Sequence, residues 1–304
     1  MNRYIIVAII TALFLGAGGY LYFNSQKGTS STGQGHMMED TSGKPVAQSA
    51  RSYEIEVTSQ PVSIEPKKPV TFRYKIKNDK GEVLKNYEIA HEKIMHFIAV
   101  RKDLANFQHL HPEFNETTGE FTVVVTLLDD GPYRLFPDFT PGEENPQKLP
   151  VTVYHDIDVG NSSKYYAQSV VPDTETSKKY DPYQITFSVP KGVKAQQEFT
   201  YTLSVEKNGQ PVTNLEKYLG ALGHSVILKE GTLDFIHTHA LEADSQGGAA
   251  QGHSMNAMQG ETTTGSGPDV KFATTFPEPG VYKIFTQFQH EGKVQTVDYI
   301  VNVK

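Results

Sequence analysis

A chain of 304 residues with no cysteine and a formal net charge of −7 excludes several classes of function at once. Without cysteine it forms no disulfide, no thiolate metal site, no cysteine nucleophile and no lipid-modified cysteine. Its acidic balance, with lysines interspersed among carboxylates and no basic stripe, argues against nucleic acid as a partner.

The length leaves room for two domains, each able to bury its own core. Residues 4–23, YIIVAIITALFLGAGGYLYF, carry no charge and lie between Arg3 and Lys27. About 20 apolar residues rising 1.5 Å each span a bilayer core, whereas the apolar part of a signal peptide is only about 7–15 residues long. Residues 1–24 are therefore expected to be an N-terminal membrane anchor or uncleaved signal, with a cleaved signal peptide and secretion as the alternative. Either way the bulk of the chain is expected to be extracytoplasmic. Residues 25–52, rich in Ser, Thr, Gly and Gln, read as a flexible linker, and they hold His36, Met37 and Met38.

From Tyr53 the pattern turns to short alternating segments: YEIEVTS, VTFRYKIKN, IMHFIAVRK, FQHLH, GEFTVVVTLL, PYRLFPDF and LPVTVYHDIDV. Seven such strands in residues 53–160 predict an immunoglobulin-like or cupredoxin-like β-sandwich. Residues 161–181 read as a linker. Residues 182–304 repeat the order with YQITFSVP, EFTYTLSVEKNG, GHSVILKEG, FIHTH, KFATTF, GVYKIFTQFQH and KVQTVDYIVNV. The fold class is thus all-β, two tandem sandwich domains after an N-terminal transmembrane helix. The second copy departs from the first by a Gly- and Ser-rich insertion, 242–269, expected to be disordered and holding His253, Met255 and Met258.

The repeat is sharpest between Met95–Pro112, MHFIAVRKDLANFQHLHP, and Gly223–Ala240, GHSVILKEGTLDFIHTHA. His96, His109 and His111 fall in register with His224, His237 and His239, twelve residues separating the first histidine from the His-x-His pair in both. Side chains two apart in a strand share a face, so His109 and His111 point together, as do His237 and His239. His96 shares its face with Ile98 and Val100, and His224 with Val226 and Leu228, which predicts that both faces turn inward to the core and bring three imidazoles to one end of each sandwich. Neutral imidazole is a common ligand for copper, zinc, iron and nickel. A single histidine is more often a hydrogen-bonded structural residue, but three recurring at the same spacing argue for coordination. Three imidazoles leave one position open, for water, Asp138 or a methionine. His91, His155 and His290 have no counterpart in the other copy and are expected at the surface.

The methionines of the linker and the insertion each lie near a histidine: Met37 and Met38 by His36, Met255 and Met258 by His253. Thioether with imidazole suits a copper ion, Cu(I) above all, although other transition metals fit too. The candidate metal ligands are therefore His96, His109, His111, His224, His237, His239, His253, Met255 and Met258. No nucleophile motif, H-E-x-x-H or phosphate-binding loop appears, so no enzyme activity is expected.

HFIAVRKDLANFQHLHPEF with GPYRLFPDFTP, and LGHSVILKEGTLDFIHTH with PGVYKIFTQFQHEGKVQTVDYIVNV, resemble the exported bacterial YtkA-like proteins over residues 53–160 and 182–304. That resemblance implies small β-sandwich domains associated with copper and heavy-metal handling, and supplies no catalytic residues. The expectation is a membrane-tethered extracytoplasmic copper-binding protein whose partners are the metal ion, the membrane and an envelope protein. The alternative is a non-catalytic envelope protein-protein interaction module with structural histidines.

Overall fold

The computed structural model describes residues 52–59, 61, 63–142, 148–241 and 267–304. The N-terminal apolar run, the linker with His36, Met37 and Met38, and the part of the insertion with His253, Met255 and Met258 lie outside them.

Among the described residues the fold is all-β, with one short 3-10 turn at Ser162–Lys164 and no α-helix. The first half pairs Tyr53–Ser59, Pro69–Asn78, Glu120–Thr126 and Glu113–Asn115 into one antiparallel sheet. A second sheet orders His155–Val159, Gly131–Pro141, His96–Arg101 and Gln108–Leu110. Pro69–Asn78 shows the alternation of a strand with one wet face: Val70, Phe72, Tyr74 and Ile76 are buried. They meet Phe97, Ala99, Tyr133, Leu135 and Phe139 of the other sheet in one core, a β-sandwich-like arrangement. The second half repeats the plan. Ser177–Tyr180, Tyr183–Ser188, Glu198–Lys207, Gln210–Pro211 and Asp269–Thr275 form one sheet; Phe235–His239, His224–Lys229, Gly280–His290 and Lys293–Val303 form the other. Ser177–Tyr180 falls inside the expected linker, and Asp269 already opens a strand at the end of the expected insertion.

His96–Arg101 is buried at every position, and His224–Lys229 at all but its last. Such strands have both faces covered, and the two faces have different partners. Phe97 and Ala99 enter the first core and Ile227 the second. Ile98 and Val100 instead join Val226, Leu228, Phe235 and Phe285 in a third apolar cluster that lies between the halves. Phe107 stacks on Phe285 at 4.3 Å between ring centroids and 9° between planes, while Phe136 meets Phe235 at 5.3 Å. Phe107 and Phe235 are equivalent in the repeat, as are Phe136 and Phe285, so the same contact is made twice in opposite senses, as at a two-fold interface.

This corrects the expected orientation. The histidine faces do not turn into their own sandwiches; they turn outward and are buried by the other half. The alternation of side chains identifies which residues share a face, but a strand apolar on both sides gives no sign of which face meets its own core.

Candidate metal centre

The interface brings the six repeated histidines together in one cluster rather than at separate ends of two sandwiches. His96, at the start of its strand, is 3% exposed. His109 and His111 follow on the adjacent antiparallel strand or just beyond it, and one ring nitrogen from each of the three lies within 4.8 Å of the others. The ring centroids are 5.2 Å apart for His96 and His109, 5.2 Å for His96 and His111, and 4.9 Å for His109 and His111. These three residues could hold a metal ion.

Their hydrogen bonds fix the proton of His96 and constrain that of His109. His96 Nε2 lies 3.1 Å from the Ala90 carbonyl oxygen, which can only accept, so Nε2–H donates and Nδ1 carries the lone pair. His109 Nδ1 lies 2.7 Å from Gln287 Oε1, and Gln287 Nε2 in turn donates to Thr296 Oγ1 at 3.0 Å. With the amide in this orientation its oxygen accepts from His109 Nδ1–H, leaving the lone pair on Nε2; with the amide turned over, its nitrogen donates to Nδ1 and Nε2–H donates to His96 Nδ1, because the Thr296 hydroxyl serves as donor or acceptor. His96 Nδ1 and His109 Nε2 face each other at 3.0 Å. The first arrangement sets two lone pairs against each other, and the second joins the rings by a hydrogen bond. Burial holds the pKa of His109 well below the ordinary histidine value, and the nearby His96 and His111 rings push it the same way. Burial also lowers His96, although Asp138 partly opposes it. The third member, His111, has a buried Nε2 with no hydrogen-bond partner.

The second set is arranged alike but less tightly. His224 is 1% exposed, and its Nε2 donates to the Leu219 carbonyl at 3.1 Å. His224 is 5.9 Å from His237 and 6.1 Å from His239 between centroids. His237 Nδ1 faces Asp138 Oδ2 of the first half at 2.9 Å, and Asp138 Oδ1 accepts from Thr152 Oγ1 at 2.8 Å. Burial and then the surrounding imidazoles hold His237 well below its ordinary pKa, so this contact is a neutral N–H donating to a carboxylate. Asp138, expected as one filler of an open coordination position, is hydrogen-bonded to His237 and fixes the direction of its ring, as carboxylates often do for histidines at metal sites. His237 also lies 5.2 Å from His96, joining the two sets.

Of the expected surface histidines one is buried and another is half-buried against the cluster. His290 is 4% exposed and hydrogen-bonds to Tyr183 and Asn214. His91 enters the cluster: its ring centroid is 4.3 Å from that of His239 and 5.2 Å from that of His224. Nothing in the sequence marked His91, whose place in the repeat, five residues before the first histidine, is held by Leu219 in the other copy. Gln287, legible only as a polar strand residue, supplies the amide that holds His109 Nδ1.

A family model described as a domain of unknown function, DUF8832, matches residues 48–156 and again 178–304. No curated protein matches the chain. Among solved structures, trypsin-activated alpha-2-macroglobulin from Escherichia coli is similar at 9% identity and a TM-score of 0.27, over 88% of this chain and 16% of that one. Salmonella alpha-2-macroglobulin reacted with methylamine gives 8% and 0.26, over 90% and 15%. A chimeric titin Z1Z2-Z1Z2 tandem gives 11% and 0.19, over 82% and 99%. The chain spans about a sixth of the macroglobulin chains, and at these TM-scores none of the three bears on fold or function.

Proposed function

The chain belongs to the DUF8832 family, whose model matches a segment in each half, and we propose, from the site itself, that the paired domains bind a transition-metal ion in the histidine cluster between them. The observation that carries this reading is the convergence of His96, His109 and His111, one ring nitrogen of each lying within 4.8 Å of the others. His96 Nδ1 and His109 Nε2 lie 3.0 Å apart, and the other nitrogen of each ring is held by the protein, on the Ala90 carbonyl and the Gln287 amide. A metal with nitrogens about 2.0–2.1 Å away and near-tetrahedral angles places them about 3.3 Å apart, close to that spacing. Neutral, buried imidazoles need no deprotonation before they coordinate.

Copper is the ion this reading favours. The described cluster is all imidazole with one carboxylate behind it, which suits copper, zinc, nickel and cobalt alike. The choice among them comes from the Met and His of the linker and insertion, Met37, Met38, Met255 and Met258 with His36 and His253, which would capture the ion or pass it on. The likeness to YtkA-like proteins, with their copper association, supports the same choice. In this reading residues 4–23 tether the protein, the two immunoglobulin-like or cupredoxin-like domains stand outside the cytoplasmic membrane, and the role is metal handling rather than catalysis.

The test is a copper titration of the full chain in detergent micelles, for the wild type and for a variant with all six repeated histidines changed to alanine, followed by dialysis and thermal melting. A ligand that binds only the folded state stabilises it by about 2.7 kcal/mol at a free concentration 100 times its Kd. Tight binding and a raised Tm, both lost in the variant, are expected. Unchanged stoichiometry in the variant, or a Tm indifferent to metal in the wild type, would overturn the proposal and favour an interaction module with structural histidines.

A further inference from the structure

The halves differ at the turn that precedes the first histidine. In the first half, Ala90 and Lys93 close a turn by exchanging backbone hydrogen bonds of 2.9 and 3.1 Å, with His91 at φ 50°. In the second, Tyr218 and Ala221 close the same turn at 2.8 and 3.3 Å, with Leu219 at φ 55°. His91 and Leu219 thus occupy one left-handed position, which is uncommon for any residue with a Cβ. The imidazole is carried from that position across the interface to the histidines of the other half.

There it meets a ring nitrogen whose lone pair is unused. His224 Nε2–H is used on the Leu219 carbonyl, and the buried Nδ1, equivalent to the His96 Nδ1 that faces His109, has no hydrogen-bond partner. Two imidazoles ligating one ion through nitrogens about 2.0 Å away hold their ring centroids about 5 Å apart. The three separations among His91, His224 and His239 are 5.2, 4.3 and 6.1 Å, scattered about that value; the first triad already has its ring nitrogens within 4.8 Å of one another, whereas this set reaches a common ion by turning its rings. His237 sits between this group and the first triad, 5.9 Å from His224 and 5.2 Å from His96.

We infer that the cluster is a two-ion centre, the first ion on His96, His109 and His111 and the second on His224, His239 and His91. The second position draws ligands from both halves and forms only when they are docked. The two positions are unequal, because the turn that gives His91 to the second offers Leu219, which cannot ligate, at the equivalent place. This rests on the reading that the histidines bind metal.

Cobalt(II) is the probe, since it takes imidazole, has little affinity for thioether and reports its geometry by visible absorption. The protein is the full chain in detergent carrying His36→Ala and His253→Ala, analysed by equilibrium dialysis and by absorption. Two ions per chain are expected. His91→Leu, which installs the residue the other turn already carries, should lower this to one tightly bound ion with the metal-free Tm unchanged. His96→Ala should also leave one ion, with a different spectrum. A parent that binds one ion, with His91→Leu binding the same ion equally well, would overturn the two-ion centre while leaving the proposed function standing. No bound ion in the parent would overturn both.

Discussion

Asp138 and Gln287 stand at the same position of the repeat, each paired in register with the first histidine of its own half, and each reaches across to a histidine of the other. Asp138, opposite His96, holds His237; Gln287, opposite His224, holds His109. The cluster is therefore oriented by exchanged side chains, and neither half assembles its own set alone.

Removing Asp138 should be felt in both stability and metal affinity. Asp138→Ala leaves the buried His237 Nδ1–H and the Thr152 hydroxyl without their acceptor, a cost of about 1–3 kcal/mol. His237 packs between the two ligand sets, so losing the carboxylate that holds it should also weaken metal affinity, at most by the about 10–100-fold typical of groups that orient a site from behind. Urea unfolding of the metal-free protein and competition dialysis of the loaded one measure the two effects. Asp138→Asn, which retains an acceptor, should recover most of the stability.

Phe285→Ala removes the ring stacked on Phe107 across the interface. Truncation of a buried Phe costs about 3–5 kcal/mol, and because this one joins the halves, the loss should appear with weakened metal binding although no ligand is touched. Phe199→Ala, within the second core, should cost similar stability. Equal effects of the two variants on metal affinity, at matched fractions folded, would argue against interface docking as the source.

The metal-free protein should lose stability on mild acidification. Burial first, then neighbouring imidazoles and Lys93, lower His111 to about 3; burial first, then His91, lowers His224 to about 3. Unfolded histidine titrates near 6.5. As pH falls below that value the unfolded chain takes up protons that the native state refuses, so the contribution is complete above about pH 6.5 and declines steadily towards pH 3. The interval from pH 7 to 5, above most carboxylate titration, is the diagnostic one. A urea midpoint that stays flat across it would contradict this account.

The Tyr74 hydroxyl is buried with no hydrogen-bond partner, between the stacked rings of Phe97 and Phe121. Tyr74→Phe keeps the stacking and removes a desolvated polar group, so it should be neutral or stabilising by about 1 kcal/mol. Thermal melting checks it, and a fall in Tm would point to a role for the hydroxyl.

Most strands, the duplication and the histidine register were legible in the sequence, because alternation, turn residues and self-similarity are local properties. The 3.0 Å approach of His96 and His109 was foreshadowed, since strand periodicity already set which side chains share a face. Which way that face turned was not legible. His96–Arg101 is apolar on both sides, and only docking of the halves decided that Phe97 meets its own core while Ile98 meets the other half. His91 was hidden for the same reason: its role depends on a left-handed turn that carries it across an interface, and on a neighbour more than a hundred residues away. By itself the sequence determined the all-β duplicated plan and the equivalence of the two histidine sets. The tertiary structure alone decided that they form one cluster, because burial of two outward apolar faces against each other is a property of the pair of domains and not of either strand.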